Sequence, residues 1–171
     1  MEMYEGIMTR RSIRSFKADH IDRAEVEDII RAGMYAPSAV NCQPWHYMII
    51  DDRSLLDRIM DIHPYAKMLK EAPCAILVLG DEDLQHAPGY WVVDCGAATQ
   101  NILLAAHSKG IGSVWLGLHP REQRKEGIRQ LFDLPGHIQP FALVALGYPN
   151  ETKQAPDRFR RERIHNNGWQ K

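Results

Sequence analysis

The chain has 171 residues, of which 44% are hydrophobic and 25% charged, and its formal net charge is −1. This length suits one domain with a single core, and the balanced charge argues against recruitment of nucleic acid or anionic lipid. Three cysteines without a CxxC spacing argue against a disulfide framework or a structural zinc site. The first residues show no leader pattern and no apolar run reaches the roughly 20 residues of a membrane span, so we expect a cytoplasmic protein.

Helices and strands follow one another along the chain without a regular alternation. Helices are predicted over 2–9, 22–35, 53–61, 65–71, 88–109 and 121–132, and strands over 45–50, 74–80, 113–118 and 140–146. Asp22 followed by Glu25 indicates a capping box. Pro88 and Gly110 are expected to open and close the longest helix. Because few strands mix with many helices, the predicted fold class is α+β, with one central sheet surrounded by helices.

The helix predicted over 88–109 is apolar around most of its circumference. Its apolar residues are Val92, Val93, Ala97, Ala98, Ile102, Leu103, Leu104 and Ala105. A helix that is apolar all round is typical of a buried position, and a chain of this size has limited room for one. A subunit interface offers the remaining burial, so we expect a homodimer that packs through this helix.

Two arginine-rich segments are candidate anion sites. The first contains Arg10, Arg11, Ser12 and Arg14 within five residues. Guanidinium groups bind phosphate oxygens bidentately and the serine hydroxyl adds a donor, so this cluster predicts a phosphate site, with a solvated charged turn as the alternative. The second segment, 157–163, is on its own typical of solvated surface, and it matters only as further help in holding a phosphate.

The segment 36–45 is a turn with two prolines that presents Ser38, Asn41 and Gln43. These side chains offer hydrogen-bond donors and acceptors to a flat heteroaromatic ring. An ordinary connection between a helix and a strand is the alternative, although loops of this length are often functional.

The segment 110–117 contains three glycines, but neither their spacing nor the helix-to-strand context matches a dinucleotide fingerprint. Gly110 is explained as the residue that ends a helix, whereas Gly117 indicates a strand end whose backbone approaches a ligand closely. The histidines are scattered and never occur at i, i+4 spacing on a helix, so no metal site is predicted.

The order of these motifs resembles the FMN-binding nitroreductase family over essentially the whole chain, and in particular its shorter members. The motifs are RRSIRSF at 10–16, APSAVNCQPWHY at 36–47, DCGAATQNILLAA at 94–106, GIGSVWLG at 110–117, ALGYP at 145–149 and DRFRRERIHNNGW at 157–169. The resemblance implies an α+β domain over 1–171 that dimerises through its long central helix. It also implies that 148–171 is a carboxy-terminal extension contributing to the flavin site and the dimer, with FMN bound at the subunit interface.

The same resemblance assigns roles to individual residues. Arg10, Arg11 and Ser12 would hold the phosphate and ribityl chain, and Arg14 would lie at the N1/C2 carbonyl edge of the flavin ring. The partner subunit would supply Pro37, Ser38, Asn41 and Gln43, while the backbone of Trp115, Leu116 and Gly117 would face the flavin around N5. Arg158 would return to the phosphate. Pro156 stands where the family often has a basic residue, so Arg160 or Arg161 could complete this clamp instead.

The function implied by the resemblance is NAD(P)H-dependent reduction of nitroaromatics, quinones or similar small-molecule acceptors, with ping-pong kinetics. Two alternatives stay open: another flavin reaction on the same fold, such as dehalogenation, dehydrogenation or flavin fragmentation, and a flavin-binding protein without turnover. A nucleic-acid or protein-interaction module is disfavoured because basic and aromatic residues are not interleaved. The sequence singles out neither a proton donor nor a 2′-phosphate site that would separate NADPH from NADH.

Overall fold

The computed structural model of the protein describes residues 1–169. The helices in this part of the chain are α1 (Met3–Thr9), α2 (Arg23–Met34), α3 (Arg53–Ile62), α4 (Tyr90–Ser108) and α5 (Glu122–Phe132). The strands are β1 (Trp45–Ile50), β2 (Cys74–Asp81), β3 (Gly112–Gly117) and β4 (Ile138–Gly147), and short 3₁₀ turns cover Ala39–Asn41, Lys67–Lys70 and Arg161–Arg163. The strands and the five long helices lie within two residues of the predicted bounds, whereas the helix predicted over 65–71 is reduced to a 3₁₀ turn.

The strands form one antiparallel sheet with the order β1-β2-β4-β3. Cys74 of β2 lies opposite Leu146 of β4, and Gly112 of β3 lies opposite Gly147. Because β2 and β4 are central, all eight residues of β2 are buried. The predicted α+β class with a central sheet is therefore confirmed.

Helices cover both faces of this sheet, so the molecule has an apolar cluster on each side. On one face α2 and α4 pack around Ile76 and Val78, and on the other α3 and α5 pack around Ala75 and Leu77. Successive strand residues point to opposite faces, so a strand with both faces covered is apolar at every position. Each fully buried leucine or isoleucine contributes about 1.5–3 kcal/mol to folding.

Two predicted helix signals are wrong. Asp22 precedes α2, but its side chain accepts no capping hydrogen bond. The carboxylate of Glu25 instead accepts a hydrogen bond from the hydroxyl of Tyr148 at 3.3 Å. Pro88 is also not the first residue of α4, because the left-handed Gly89, with φ of 88°, separates it from the helix. At the other end Gly110, with φ of 73°, follows α4 as predicted.

A single chain covers only one side of the long helix, so burial of its other side by a partner subunit stays a prediction. Trp91, Cys95, Ala98 and Ile102 face the sheet and are buried. On the opposite side Val93 is 68% exposed, Gln100 is exposed, and Ala97 and Leu104 are only partly covered. These four residues recur at intervals of four, three and four, which forms one stripe along the helix. Among residues 1–169, no helix is long and apolar enough to cross a membrane.

The segment that follows α1 pairs with the outer edge of β3. The backbone N–H of Ile13 donates to the carbonyl of Ser113 at 3.0 Å, and Ser12 forms a parallel bridge with the same serine. At the other terminus, residues 152–169 are exposed apart from a partly covered His165. The carboxy-terminal segment therefore adds almost nothing to the core of one chain.

Candidate functional site

Three cations of the predicted anion site come together beside the first turn after α1. Burial, and then the positive charges of Arg11 and Arg158, lower the pKa of Arg10. The guanidinium of Arg11 is held by the carbonyls of Met8, at 2.7 Å, and Gln154, at 3.1 Å. Repulsion among clustered cations is relieved by a multiply charged anion, so this arrangement favours binding of a phosphate.

The tail arginines differ in their placement. Arg158 lies near enough to Arg10 to influence its ionisation. Arg160 donates instead to the carbonyl of Phe159 at 2.9 Å, and Arg161 begins the last 3₁₀ turn. Of the three predicted phosphate ligands in the tail, Arg158 is the one whose positive charge lowers the pKa of Arg10.

Lys153 joins the same region and was not singled out from the sequence. Its ammonium group donates to the carbonyl of Ser12 at 2.8 Å and pairs with Glu151 at 3.0 Å. The carboxylate of Glu151 accepts the backbone N–H of Arg14, and this hydrogen bond is the main reason why the pKa of Glu151 is lowered. The backbone around Arg14 is therefore fixed while its side chain stays exposed.

A cavity of about 330 Å³ lies against this cluster. It is lined in part by Arg11, Ile13, His107, Ser113 and Lys153. Burial, followed by the charges of Arg10 and Arg11, lowers the pKa of His107, which therefore favours its neutral form at the carboxyl end of α4.

Ser12 and Ile13 pair with the outer edge of β3 at Ser113. Beyond Ser113, no strand in the described part of the chain pairs with this edge. In an antiparallel ladder, residues alternate between pointing their N–H and C=O groups toward and away from the neighbouring strand. Ser113 points away from β4, because its carbonyl accepts Ile13, so Trp115 and Gly117 point to the same open side. From Ser113 to Gly117 the strand rises about 13 Å. An extended ligand can therefore lie along this edge, with one end at the arginines and the other at Gly117.

The glycine at 117 has no explanation within the fold of one chain. A Cβ added there would lie 3.9 Å from its nearest neighbour, the carbonyl oxygen of His119, and its φ is outside the left-handed region. At Gly112, by contrast, a Cβ would lie 2.9 Å from Ile13. The open space at Gly117 is consistent with close approach of a ligand to the backbone.

The loop between α2 and β1 has a strained and specific conformation. Val40, Asn41 and Gln43 have φ of 52°, 59° and 50°, in the left-handed region that costs non-glycine residues about 1–3 kcal/mol each. Ser38 Oγ accepts the backbone N–H of Gln43 at 2.9 Å, and Asp94 Oδ1 accepts the backbone N–H of Ala39 at 3.0 Å. Strain of this kind is concentrated at functional positions.

This loop leaves Pro37, Asn41 and Gln43 exposed and Ser38 partly covered. It is joined to α4 at Asp94, whereas the charges of Arg10 and Arg11 act on His107 of the same helix. Thirteen residues separate these positions, which corresponds to about 20 Å along the helix axis. The two predicted groups of site residues therefore do not meet within one chain.

A separate group of possible metal ligands, absent from the predictions, lies at one end of the sheet. Ligand atoms of Asp81, Asp83 and His137 lie within 4.8 Å of one another. Asp81 already accepts the backbone N–H of Asp83 at 2.9 Å and contacts His46 Nε2 at 3.2 Å. Its carboxylate is thus satisfied by protein groups.

Comparison with known proteins gives consistent results. The nitroreductase family model matches residues 7–66 and 63–148. A Methanothermobacter thermautotrophicus protein with the provisional name NADH dehydrogenase/NAD(P)H nitroreductase is 47% identical over 169 residues, covering 99% of this chain and 88% of that protein. A solved structure with the same provisional name, from Parabacteroides distasonis, has a TM-score of 0.94 at 39% identity and covers 98% of both chains. A Desulfovibrio desulfuricans structure, provisionally described as a nitroreductase in complex with FMN, has a TM-score of 0.86 at 27% identity and covers 99% of both chains.

Proposed function

The chain belongs to the nitroreductase family, and we propose that it reduces nitroaromatics, quinones or similar small-molecule acceptors at the expense of NAD(P)H. It is an FMN-dependent oxidoreductase, with NAD(P)H as the cosubstrate. The observation that carries the proposal is the open edge of β3, which joins a cluster of cations to an otherwise unexplained glycine. Since residues 1–169 contain no separate nicotinamide domain, NAD(P)H and the acceptor would use one pocket in turn, which gives ping-pong kinetics.

The residues along this edge fit FMN. Arg10, Arg11 and Arg158 would hold the phosphate, Ser12 would contact the ribityl chain, and Gly117 would present its N–H to the ring at N5. When bound, the flavin supplies the electron-transfer chemistry, while the protein binds and tunes it. The cation of Arg14 would stabilise the negative charge that reduction places near N1. Arg14→Ala is therefore expected to lower the flavin midpoint potential and slow turnover, and an unchanged potential would contradict this role.

A homodimer accounts for the separation of the two groups of site residues. The exposed stripe Val93, Ala97, Gln100 and Leu104 lies between the loop at Asp94 and the arginines at His107. If a second copy packs antiparallel across α4, its strained loop lies beside the first copy's flavin. Pro37, Ser38, Asn41 and Gln43 would then reach the ring from the partner subunit, and the exposure of three of them supports this role.

The carboxy-terminal extension is proposed to complete this dimer and its phosphate clamp. The tail carries exposed Phe159 and Trp169, at 66% and 83% relative exposure, which an adjacent subunit could cover. Arg158 is favoured over Arg160 and Arg161 as the phosphate ligand because of its effect on Arg10. A cytoplasmic location remains part of the proposal, since Cys42, Cys74 and Cys95 are free thiols.

The test uses the purified full-length protein. Its visible spectrum gives the flavin content per chain, light scattering gives the mass, and NAD(P)H oxidation is followed with menadione and with a nitrofuran. The expected result is a yellow dimer with about one flavin per chain and turnover with both acceptors. Bound flavin without turnover would favour the carrier alternative, and bound flavin with poor activity on these acceptors would favour another flavin reaction. A colourless monomer that does not bind added FMN would refute the proposal.

A further inference from the structure

We propose that His63 and Arg124 are positioning residues that hold the Gly117 main chain so that its N–H faces the flavin ring. The inference rests on the proposed function, because it concerns the same flavin. Neither residue lies in a motif of the sequence resemblance, and both come from elements on the face of the sheet opposite to α4.

The first contact comes from the residue that ends α3. His63 is 2% exposed, and its Nε2 lies 3.1 Å from the carbonyl oxygen of Gly117. Its Nδ1 accepts the backbone N–H of Tyr65 at 3.2 Å, so the ring proton of the neutral imidazole must be on Nε2, where it donates to Gly117. Burial favours this neutral form, because it lowers the pKa of His63, and the nearby Arg124 charge adds to the shift.

The second contact comes from α5. Arg124 Nη1 donates to the same carbonyl oxygen at 2.9 Å and lies 3.3 Å from His63 Nε2. Its guanidinium lies over the ring of Tyr65, 5.5 Å from the centroid, which limits the movement of this long side chain. Two donors from two different helical elements thus converge on one backbone oxygen.

This convergence matters because of where Gly117 lies. It is the last residue of an edge strand, no strand among residues 1–169 pairs with its open side, and glycine has more backbone freedom than any other residue. The N–H of Gly117 belongs to the peptide that joins it to Leu116, and its C=O belongs to the peptide that joins it to Leu118. A held carbonyl oxygen therefore limits rotation about the Cα between them and helps to keep the N–H on the same open side. His63 and Arg124 bind the carbonyl end of Gly117 on this open side, beside the position proposed for the ring, without needing to touch the flavin.

The expected consequence is a change in flavin energetics. A backbone N–H directed at N5 can donate to the oxidised ring, whereas the reduced ring carries its own proton there. Loss of the two contacts should therefore weaken binding of oxidised FMN about tenfold more than binding of reduced FMN. For a two-electron couple this corresponds to a midpoint potential that is more positive by about 30 mV.

The experiment compares His63→Leu, His63→Gln, Arg124→Met and Arg124→Lys with wild type, and uses Arg58→Met, on the exposed face of α3, as the matched control. The measurements are the dissociation constant of FMN by fluorescence, the midpoint potential of bound FMN, and the melting temperature. His63→Leu and Arg124→Met should show the positive shift, and the donor-retaining His63→Gln and Arg124→Lys should restore part of it. If buried His63→Leu does not fold, the Arg124 pair still decides the question.

A purely structural role would lower the melting temperature of these variants and leave the potential of bound FMN at the Arg58→Met value. That outcome overturns the inference while the proposed function stands, because wild type still binds flavin and turns over. A wild-type protein that binds no FMN overturns the proposed function itself.

Discussion

Replacing Gly117 with alanine should change the stability of the chain and its affinity for FMN in opposite directions. Within the chain an added Cβ would approach nothing closer than the carbonyl oxygen of His119, at 3.9 Å, which is ordinary van der Waals contact. The backbone is not in the left-handed region, so alanine is not strained there. Reduced freedom of the unfolded chain should stabilise Gly117→Ala by about 0.4–1 kcal/mol.

The same substitution should weaken FMN binding. A methyl group on a backbone that a flat ring approaches closely acts like an overpacked core residue, which costs about 1–3 kcal/mol. Since about 1.4 kcal/mol corresponds to a factor of ten, the dissociation constant should rise roughly 5-fold to 150-fold. Denaturation of the flavin-free protein measures the first effect, and fluorescence titration with FMN measures the second.

Two other glycines serve as controls. In Gly112→Ala the new Cβ would lie 2.9 Å from Ile13 Cγ2 and 3.2 Å from the carbonyl oxygen of Gly147, so this variant should lose stability. At Gly136 the same methyl group meets nothing within 4 Å, so neither stability nor affinity should fall. Unchanged FMN affinity in Gly117→Ala, or destabilisation as large as that of Gly112→Ala, would refute the placement of the ring at this strand end.

Three further predictions follow from the same geometry. Val93→Lys places a charge in the exposed stripe of α4 and should prevent dimerisation. Light scattering should then show a monomer, and fluorescence titration should show loss of FMN binding. A flavin-bound dimer would contradict the proposed interface. Arg158→Ala should weaken FMN binding about tenfold, whereas Arg160→Ala should leave it near wild type, and the reverse order would reassign the phosphate ligand. Burial lowers the pKa of His107 and His119, so the unfolded chain binds more protons than the folded chain near their ordinary pKa. The melting temperature should therefore fall as the pH drops from 7.5 to about 5.5, and His119→Gln should flatten this dependence.

The secondary structure was predicted correctly from the sequence where one physical cause determines the local structure. The apolar run of β2 follows from helices on both faces of the sheet, and Gly110 ends α4 because it adopts a left-handed conformation. The capping box failed because Glu25 bonds to Tyr148, which is distant in sequence. The apolar residues of α4 cover two surfaces, and a single chain buries one of them, so burial of the second by a partner subunit stays a prediction.

The site was predictable to the extent that its residues are adjacent in sequence. The arginines at 10, 11 and 14 form a dense group that no structure is needed to find. The role of His63 was not predicted, because its hydrogen-bond partner is a backbone oxygen 54 residues away in sequence. A single histidine forms no sequence motif that would indicate such a contact. Lys153 was missed for a similar reason, since its contact with the carbonyl of Ser12 depends on how the tail folds back.

The length of α4 links the proposed dimer to the proposed chemistry. One helix holds the loop at Asp94 and the arginines near His107 about 20 Å apart, so neither group can serve the other within a chain. A twofold axis crossing the stripe between them exchanges the two ends, so each subunit offers its loop and receives its partner's loop. Such a dimer contains two equivalent sites, and a substitution in the stripe disrupts both, although it touches neither flavin. The apolar character of α4 is then a requirement of the active site as much as of the core.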